Sequence, residues 1–199
     1  PIFIEAELRA YIESVLPTVE GVVISDYGSG TVTEGLQTLL IDYCRAKGIP
    51  SIVDSRYAVR RFSGIGYVKQ NDAELAAAVG RELATTEDII RAAEELREEL
   101  HAKGVLVTRG ELGMVLVENC AVHEIPVSDK SEVFDVSGAG DTCVATVILA
   151  LAAGAEPALA ARLSNIASGI AVRKLGTSTV SVRELAEAVE KQHPEYPSK

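Results

Sequence analysis

The feature that most constrains the fold of this 199-residue chain is a regular alternation of short apolar runs with amphipathic helical patterns. Runs rich in Val and Ile predict strands at 21–25, 51–54, 65–69 and 104–109, and GMVLVE and AVHEIP then predict an antiparallel hairpin. Strands that alternate with helices form parallel sheets covered on both faces. The sequence therefore predicts an α/β fold of three layers, with a mainly parallel sheet between helices.

The helices are predicted from apolar residues spaced three and four apart. Thr33 is a predicted N-cap and Gly48 a predicted stop for one helix, and Thr86 and Gly104 have the same roles for another. No low-complexity segment or repeat interrupts the pattern, so we expect one domain over residues 1–199. The predicted helical ranges are 5–16, 33–47, 71–79, 86–103, 139–153, 157–173 and 181–192.

The segment DVSGAGDT, residues 135–142, is the most informative motif for function. Its Gly-Ala-Gly turn leads into an apolar helix, and the N–H groups and dipole of a helix start favour phosphate oxygens. Asp141 would repel a phosphate, so it is better interpreted as a proton acceptor for a hydroxyl that attacks phosphorus. The alternative is an ordinary helix start in which Asp141 complements the dipole.

The composition limits the partners. A formal net charge of −10 argues against nucleic acid and anionic membranes, because neither favours an acidic surface. The longest apolar run, 143–155, is too short to span a bilayer. Cys44, Cys120 and Cys143 follow no zinc or redox spacing. We therefore expect a cytoplasmic protein that acts on small molecules and holds phosphate with local amides and a metal.

Three segments together resemble one known family: DVSGAGDT, VISDYGSG at 23–30, and NIASGIAVRKLGTSTVSVRELAEAV at 165–189. The chain resembles ribokinase-like carbohydrate kinases, the phosphofructokinase-B family, over nearly its whole length. Within that family it is most similar to the heptose-7-phosphate kinase domain of bifunctional ADP-heptose synthesis enzymes. The resemblance implies that residues 1–199 are the C-terminal two-thirds of a ribokinase-like kinase domain, without the family's N-terminal strands, sugar-binding signature and lid.

The resemblance also implies roles for individual residues. Asp141 would be the catalytic base, and Gly138, Ala139 and Gly140 would form the anion hole for the transferring phosphoryl group. Glu74 on its own is more typical of a solvated residue in a first helical turn, and Asn165 is equally typical of a polar helix face. By the same resemblance, Asn71 and Glu74 would organise Mg²⁺ through water. Thr108, Gly110 and Gly113 would contact the nucleotide, and Asn165 would line the adenine pocket. Asp135 and Ser137, with carbonyls of 171–178, would form a monovalent-cation site.

The implied activity is ATP-dependent phosphorylation of a sugar or sugar-phosphate hydroxyl, with Mg²⁺ and, as in many family members, K⁺. The alternatives are a nucleotide-binding module without catalysis and a vitamin or nucleoside kinase of the same superfamily; self-association into a homodimer is left open. Three departures from the family pattern affect the sugar end and leave the phosphoryl-transfer end unchanged. Ser29 and Arg56 stand where the subgroup has lysines, and KQN replaces a Thr-Pro pair before Asn71.

Overall fold

The computed structural model describes residues 2–128 and 134–192, which fold around one six-stranded sheet with the strands in chain order. The first four strands run parallel and the last two add an antiparallel hairpin. Both the mainly parallel sheet and the hairpin are as the sequence predicts. The strands are β1 Val22–Asp26, β2 Ser51–Ser55, β3 Tyr67–Asn71, β4 Gly104–Thr108, β5 Met114–Glu118 and β6 Ala121–Ile125.

Within these described ranges, seven α-helices confirm the seven helical patterns, with shifted ends. The fourth begins after Thr85, not Thr86, because the Thr85 side chain accepts the N–H of Asp88 and Asp88 bonds back to Thr85. It ends at Leu100 rather than Lys103, because His101 takes a left-handed conformation at φ 53°. The helices are α1 Ile2–Val15, α2 Glu34–Lys47, α3 Asp72–Val79, α4 Thr86–Leu100, α5 Ala139–Ala152, α6 Pro157–Ala171 and α7 Val182–Gln192.

The alternation of side chains along the strands builds the three layers. Val53, Val68 and Val105 are buried in a core with residues of α2, α3 and α4. Their strand neighbours Ile52 and Leu106 are buried on the opposite face, against α5 and α6. Helices therefore cover both faces of the sheet, which confirms the three-layer α/β fold.

This arrangement brings the carboxyl ends of the four parallel strands to one edge of the sheet. Ligands of open α/β folds bind at that edge. The start of α5 is close to it, because the backbone of Gly140 lies against the side chains of Asp54 and Lys69, on β2 and β3. Within residues 2–128 and 134–192, no helix is both long enough and apolar enough to cross a membrane.

Candidate active site

The start of α5 has no side-chain cap, and its N-cap residue Gly138 is left-handed at φ 79°. The N–H of Ala139 donates to the carbonyl of Val136 at 3.2 Å. Within the part of the chain that the structure describes, the N–H groups of Gly138, Gly140 and Asp141 have no acceptor. Unsatisfied N–H groups at a helix start are ready donors for an anion. The predicted anion hole is thus open at residues 138 and 140, and Ala139 is already bonded.

The carboxylate of Asp141 is exposed in the first turn of α5. The hydroxyl of Tyr27, in the loop after β1, lies 3.2 Å from Oδ1 and 3.4 Å from Oδ2 of Asp141. The negative charge of Asp141, and then burial, raise the pKa of the Tyr27 phenol. Asp141 is therefore accessible to a hydroxyl from outside the protein, and a neutral donor already contacts it.

A buried ion pair lies beside Gly140. Nζ of Lys69 is 2.9 Å from Oδ2 of Asp54, and the two side chains are 6% and 17% exposed. A Cβ at position 140 would lie 2.9 Å from that Nζ, so a larger residue there would displace the Lys69 ammonium from its present position. Sequence reasoning assigned neither Lys69 nor Asp54 to the site. The signal was the replacement of Thr-Pro by KQN, which puts a cation two residues before Asn71.

The surroundings of this pair keep Lys69 charged. Burial acts to lower the pKa of the Lys69 ammonium, but the charge and hydrogen bond of Asp54, helped by the charge of Glu74, outweigh it and leave the pKa raised. Burial raises the pKa of Asp54, and Lys69 offsets only part of that effect. The positive end of the ion pair is therefore the one nearer to the open amides of α5, because a Cβ at residue 140 would lie 2.9 Å from Nζ of Lys69 and 3.6 Å from Oδ2 of Asp54.

Asn71 and Glu74 form the start of α3. Oδ1 of Asn71 accepts the N–H of Glu74 at 2.7 Å, and Oε2 of Glu74 accepts the N–H of Asn71 at 2.8 Å. This is a capping box, so one oxygen of Glu74 is already engaged. The described residues contain no group of three or more His, Cys, Asp or Glu that could hold a metal. A Mg²⁺ ion at Glu74 would thus be held mainly by water and phosphate, which suits its preference.

A cleft of about 530 Å³ lies between the β4–β5 connection and helices α5 and α6. Asn165 on α6 is 6% exposed, and its amide donates to the carbonyl of Pro126 at 2.6 Å. Six of the residues predicted from the sequence line this cleft, and six others do not. Those outside it are Asn71, Glu74, Asp135, Ser137, Gly138 and Asp141. The six that line it are Thr108, Gly110, Gly113, Ala139, Gly140 and Asn165.

Asp135 connects the approach to α5 with the loop after α6. Its Oδ1 accepts the N–H of Ser137 at 2.8 Å, and its Oδ2 accepts the N–H of Gly176 at 3.1 Å. These bonds, that of Ser137 first, lower the pKa of Asp135. The carbonyl of Val172 in turn accepts the N–H groups of Phe134 and Asp135. Three of the oxygens predicted to hold a monovalent cation, the two of the Asp135 carboxylate and the carbonyl of Val172, therefore already accept hydrogen bonds within the protein.

A three-layer α/β fold with an uncapped helix start beside a cleft at the carboxyl edge of the sheet defines a class of proteins that bind phosphate groups. The chain belongs to the pfkB family of carbohydrate kinases, whose family model matches residues 4–184. This match confirms the family that the sequence motifs predict.

The curated relatives include Bifunctional protein HldE of Mesorhizobium japonicum, 40% identical over 191 residues, which are 94% of this chain and 38% of that protein. The protein of the same name from Halorhodospira halophila is 41% identical over 192 residues, 95% of this chain and 39% of that protein. The chain thus spans about two fifths of the length of these relatives. They agree with the predicted likeness to bifunctional enzymes.

Solved structures have the same architecture. Phosphofructokinase-2 from Escherichia coli in complex with potassium superposes with a TM-score of 0.81 at 29% identity, over 94% of this chain and 62% of that one. A ribokinase of Arabidopsis thaliana complexed with ribose and ATP gives a TM-score of 0.78 at 19% identity, over 89% of this chain and 58% of that one. The second likeness shows the fold alone. Together they confirm the ribokinase-like fold.

Proposed function

We propose that this chain carries the phosphoryl-transfer site of a kinase that phosphorylates a sugar or sugar-phosphate hydroxyl from ATP. One observation carries the proposal: an exposed carboxylate, Asp141, lies on the same helical turn as N–H groups of Gly138 and Gly140 that have no acceptor among the described residues. The acceptor hydroxyl gives its proton to Asp141 as its oxygen attacks the γ-phosphorus. The open amides then stabilise the charge on the transferring group.

The nucleotide is proposed to lie in the 530 Å³ cleft. Thr108, Gly110 and Gly113 form one wall and Asn165 another, and Gly140 lines the end that leads to the start of α5. A nucleotide with its base toward Asn165 would direct its phosphates toward Gly140. The charge of Lys69, behind Gly140, supports this orientation.

The metal ions belong to the same proposal. Asn71 would orient Glu74, and Glu74 would hold Mg²⁺ through water. Bound Mg²⁺ would neutralise charge on the phosphate oxygens. A monovalent cation near Asp135 and Ser137 is supported by the potassium complex of phosphofructokinase-2. Four further statements stay predictions. They are a single domain that corresponds to the C-terminal two-thirds of a ribokinase-like kinase, a cytoplasmic location, the absence of nucleic-acid partners, and a homodimer.

The test compares Asp141→Asn with Glu34→Gln. Both residues are exposed acids in the first turn of a helix, and Glu34 is on α2. We expect Asp141→Asn to lower turnover about 10²–10⁴-fold, as for loss of a general base, and to bind ADP with Mg²⁺ as tightly as the unaltered chain. Glu34→Gln should change neither. Turnover is measured on a panel of sugars and sugar phosphates, and binding by calorimetry.

Three outcomes would contradict the proposal. Normal turnover of Asp141→Asn would remove the base from its role. Binding of ADP by the unaltered chain without turnover on any acceptor would favour a nucleotide-binding module. Turnover only with a vitamin or a nucleoside would place the chain with the other kinases of the superfamily.

A further inference from the structure

The only side chain among the described residues that donates a hydrogen bond to Asp141 comes from a loop 114 positions earlier in the chain. The Tyr27 hydroxyl lies 3.2 Å and 3.4 Å from the two carboxylate oxygens. A carboxylate accepts hydrogen bonds and does not donate them, so the phenol is the donor. The orientation of this exposed carboxylate therefore depends on Tyr27.

Hydrogen bonds of Asp26, the residue before Tyr27, hold the loop in place. Asp26 is 4% exposed, and its Oδ1 accepts the N–H of Gly28 at 3.0 Å. Its Oδ2 accepts the buried hydroxyl of Ser55 at 2.9 Å, and its carbonyl accepts the N–H of Arg56. Three bonds thus fix the backbone next to Tyr27, although the tyrosine itself is 59% exposed.

Glycine at position 28 completes this support. Gly28 has φ +72°, and a Cβ there would lie 3.0 Å from Cδ2 of Tyr57, so the Tyr57 ring packs directly against the loop. A tyrosine at the tip of a polar loop is usually free to rotate into solvent. Here the anchored loop holds the phenol over the start of α5, where its ring is accessible to an acceptor molecule.

We infer that Tyr27 is a positioning residue for the Asp141 carboxylate and, with it, for the acceptor hydroxyl. Its bond is shared between the two oxygens, so the remaining lone pairs of Asp141 stay available on the exposed side. An acceptor hydroxyl must approach by that side to be aligned with a phosphoryl group at Gly138 and Gly140. This inference rests on the proposed function, because it assigns Tyr27 a role in the same reaction.

The first test is a titration that needs no substrate. The charge of Asp141, then burial, and more weakly Asp54, raise the pKa of the Tyr27 phenol, and Ser25 offsets part of the effect. The difference in tyrosinate absorbance between the unaltered chain and Tyr27→Phe isolates Tyr27 from the other five tyrosines. We expect a raised pKa that falls toward the usual tyrosine value in Asp141→Asn. An unchanged titration in Asp141→Asn would overturn the inference.

The second test separates kcat from KM. Tyr27→Phe should lower kcat about tenfold, the effect of a hydrogen bond to a charged group, with the KM for ATP unchanged. Tyr57→Phe is the matched control, since it removes a phenol oxygen from a neighbouring ring that is 75% exposed, and it should keep full kcat. Assays use ATP and the acceptor with the highest turnover in the sugar panel.

The outcomes distinguish this inference from the function on which it rests. Full kcat in Tyr27→Phe, with the unaltered chain active, would overturn the positioning role alone. A chain that is inactive on every acceptor would overturn both the function and the role, and the titration would then report only a structural contact. Equal losses in Tyr27→Phe and Tyr57→Phe would show a general effect of the loop and would also overturn it.

Discussion

The starts of the helices fall into two kinds, closed and open. Helices α3, α4 and α7 each begin with a capping box, in which a side chain bonds the N–H three residues on and the acid there bonds back. Helix α5 begins with Gly138, which has no side chain to offer. Helix α6 also has no side-chain cap, but its first residue is Pro157, which has no N–H group. The three closing pairs are Asn71 with Glu74, Thr85 with Asp88, and Ser181 with Glu184.

The comparison shows which helix start is available to a ligand. Four other helices, α2, α3, α4 and α7, begin with a side-chain cap. Helix α5 has glycine there instead, which lowers the stability by about a few tenths of a kcal/mol relative to a Ser, Thr, Asn or Asp cap. In return it presents N–H groups of Gly138 and Gly140 that no described residue accepts. The Lys69 ammonium behind Gly140 adds positive charge at the same point. Stability is thus given up where the family resemblance places phosphoryl transfer.

Removing the ammonium group of Lys69, which lies beside the start of α5, should have the largest effect on stability. Lys69→Met leaves the carboxylate of Asp54, 17% exposed, without its partner, and we expect the free energy of unfolding to fall by about 3 kcal/mol. Arg45→Met is the control, because its pair with Asp42 is mostly exposed and should be worth less than about 1 kcal/mol. Urea denaturation measures both. Equal losses in the two variants would mean that the buried pair gives the open start no special support.

Closing the gap at Gly140 should have the next largest effect. The added methyl group of Gly140→Ala would lie 2.9 Å from Nζ of Lys69, and we expect a loss of about 1–3 kcal/mol together with weaker binding of ADP and Mg²⁺. Gly35→Ala is matched, since residue 35 is also the second of its helix and its Cβ would lie 3.2 Å from the end of the Glu5 side chain. Tight ADP binding by Gly140→Ala would argue against phosphates at this point.

Removing the side-chain caps of α3 and α4 should lower the stability by a smaller amount. The two variants should differ in their dependence on Mg²⁺. Asn71→Ala and Thr85→Ala each remove a cap, and we expect each to lose about 1 kcal/mol in thermal unfolding. Only Asn71→Ala should raise the Mg²⁺ concentration needed for half-maximal turnover, because only that box contains the proposed metal residue Glu74. The same Mg²⁺ dependence in both variants would leave Asn71 and Glu74 as a structural cap and nothing more.

The smallest effect concerns pH at the start of α7. The bond from Lys174 first, and those from Ser181, lower the pKa of Glu184 to about 2 from an ordinary value of 4.5. A depressed folded-state pKa stabilises the protein fully above the unfolded value, and this stabilisation is lost as pH falls from about 4.5 toward about 2. Glu184→Gln should therefore reduce the fall in Tm over that interval. An unchanged fall in Tm for Glu184→Gln would contradict this expectation.

The sequence predicts local structure better than it predicts the site. The hairpin of GMVLVE and AVHEIP and the helix stop at Gly48 follow from turn and cap chemistry within a few residues. The predicted start of α4 was wrong by one residue, because Thr85 and Thr86 are both good N-cap residues. Only the hydrogen bond from the N–H of Thr85 to the Asp88 carboxylate distinguishes them.

Contacts between distant segments explain what sequence reasoning missed. Asp54 and Lys69 are 15 residues apart on neighbouring strands, and their closeness to Gly140 depends on how α5 packs against the sheet. The contact of Tyr27 with Asp141 likewise joins segments 114 residues apart. By contrast, the six predicted residues that line the cleft come from three short segments, residues 108–113, DVSGAGDT at 135–142, and the segment that begins at Asn165.

The two hydrogen bonds that Asp135 accepts have a consequence for moving the DVSGAGDT segment into another protein. One carboxylate accepts the N–H groups of both Ser137 and Gly176, so the shape of the turn before α5 is encoded in two stretches of chain about forty residues apart. A graft of residues 135–142 into an unrelated scaffold would import the glycines without the loop that holds them in place. An exchange of 172–178 with a relative's loop, on the other hand, would change the support of the proposed phosphoryl-transfer site, although none of the side chains of 172–178 has been assigned a role there.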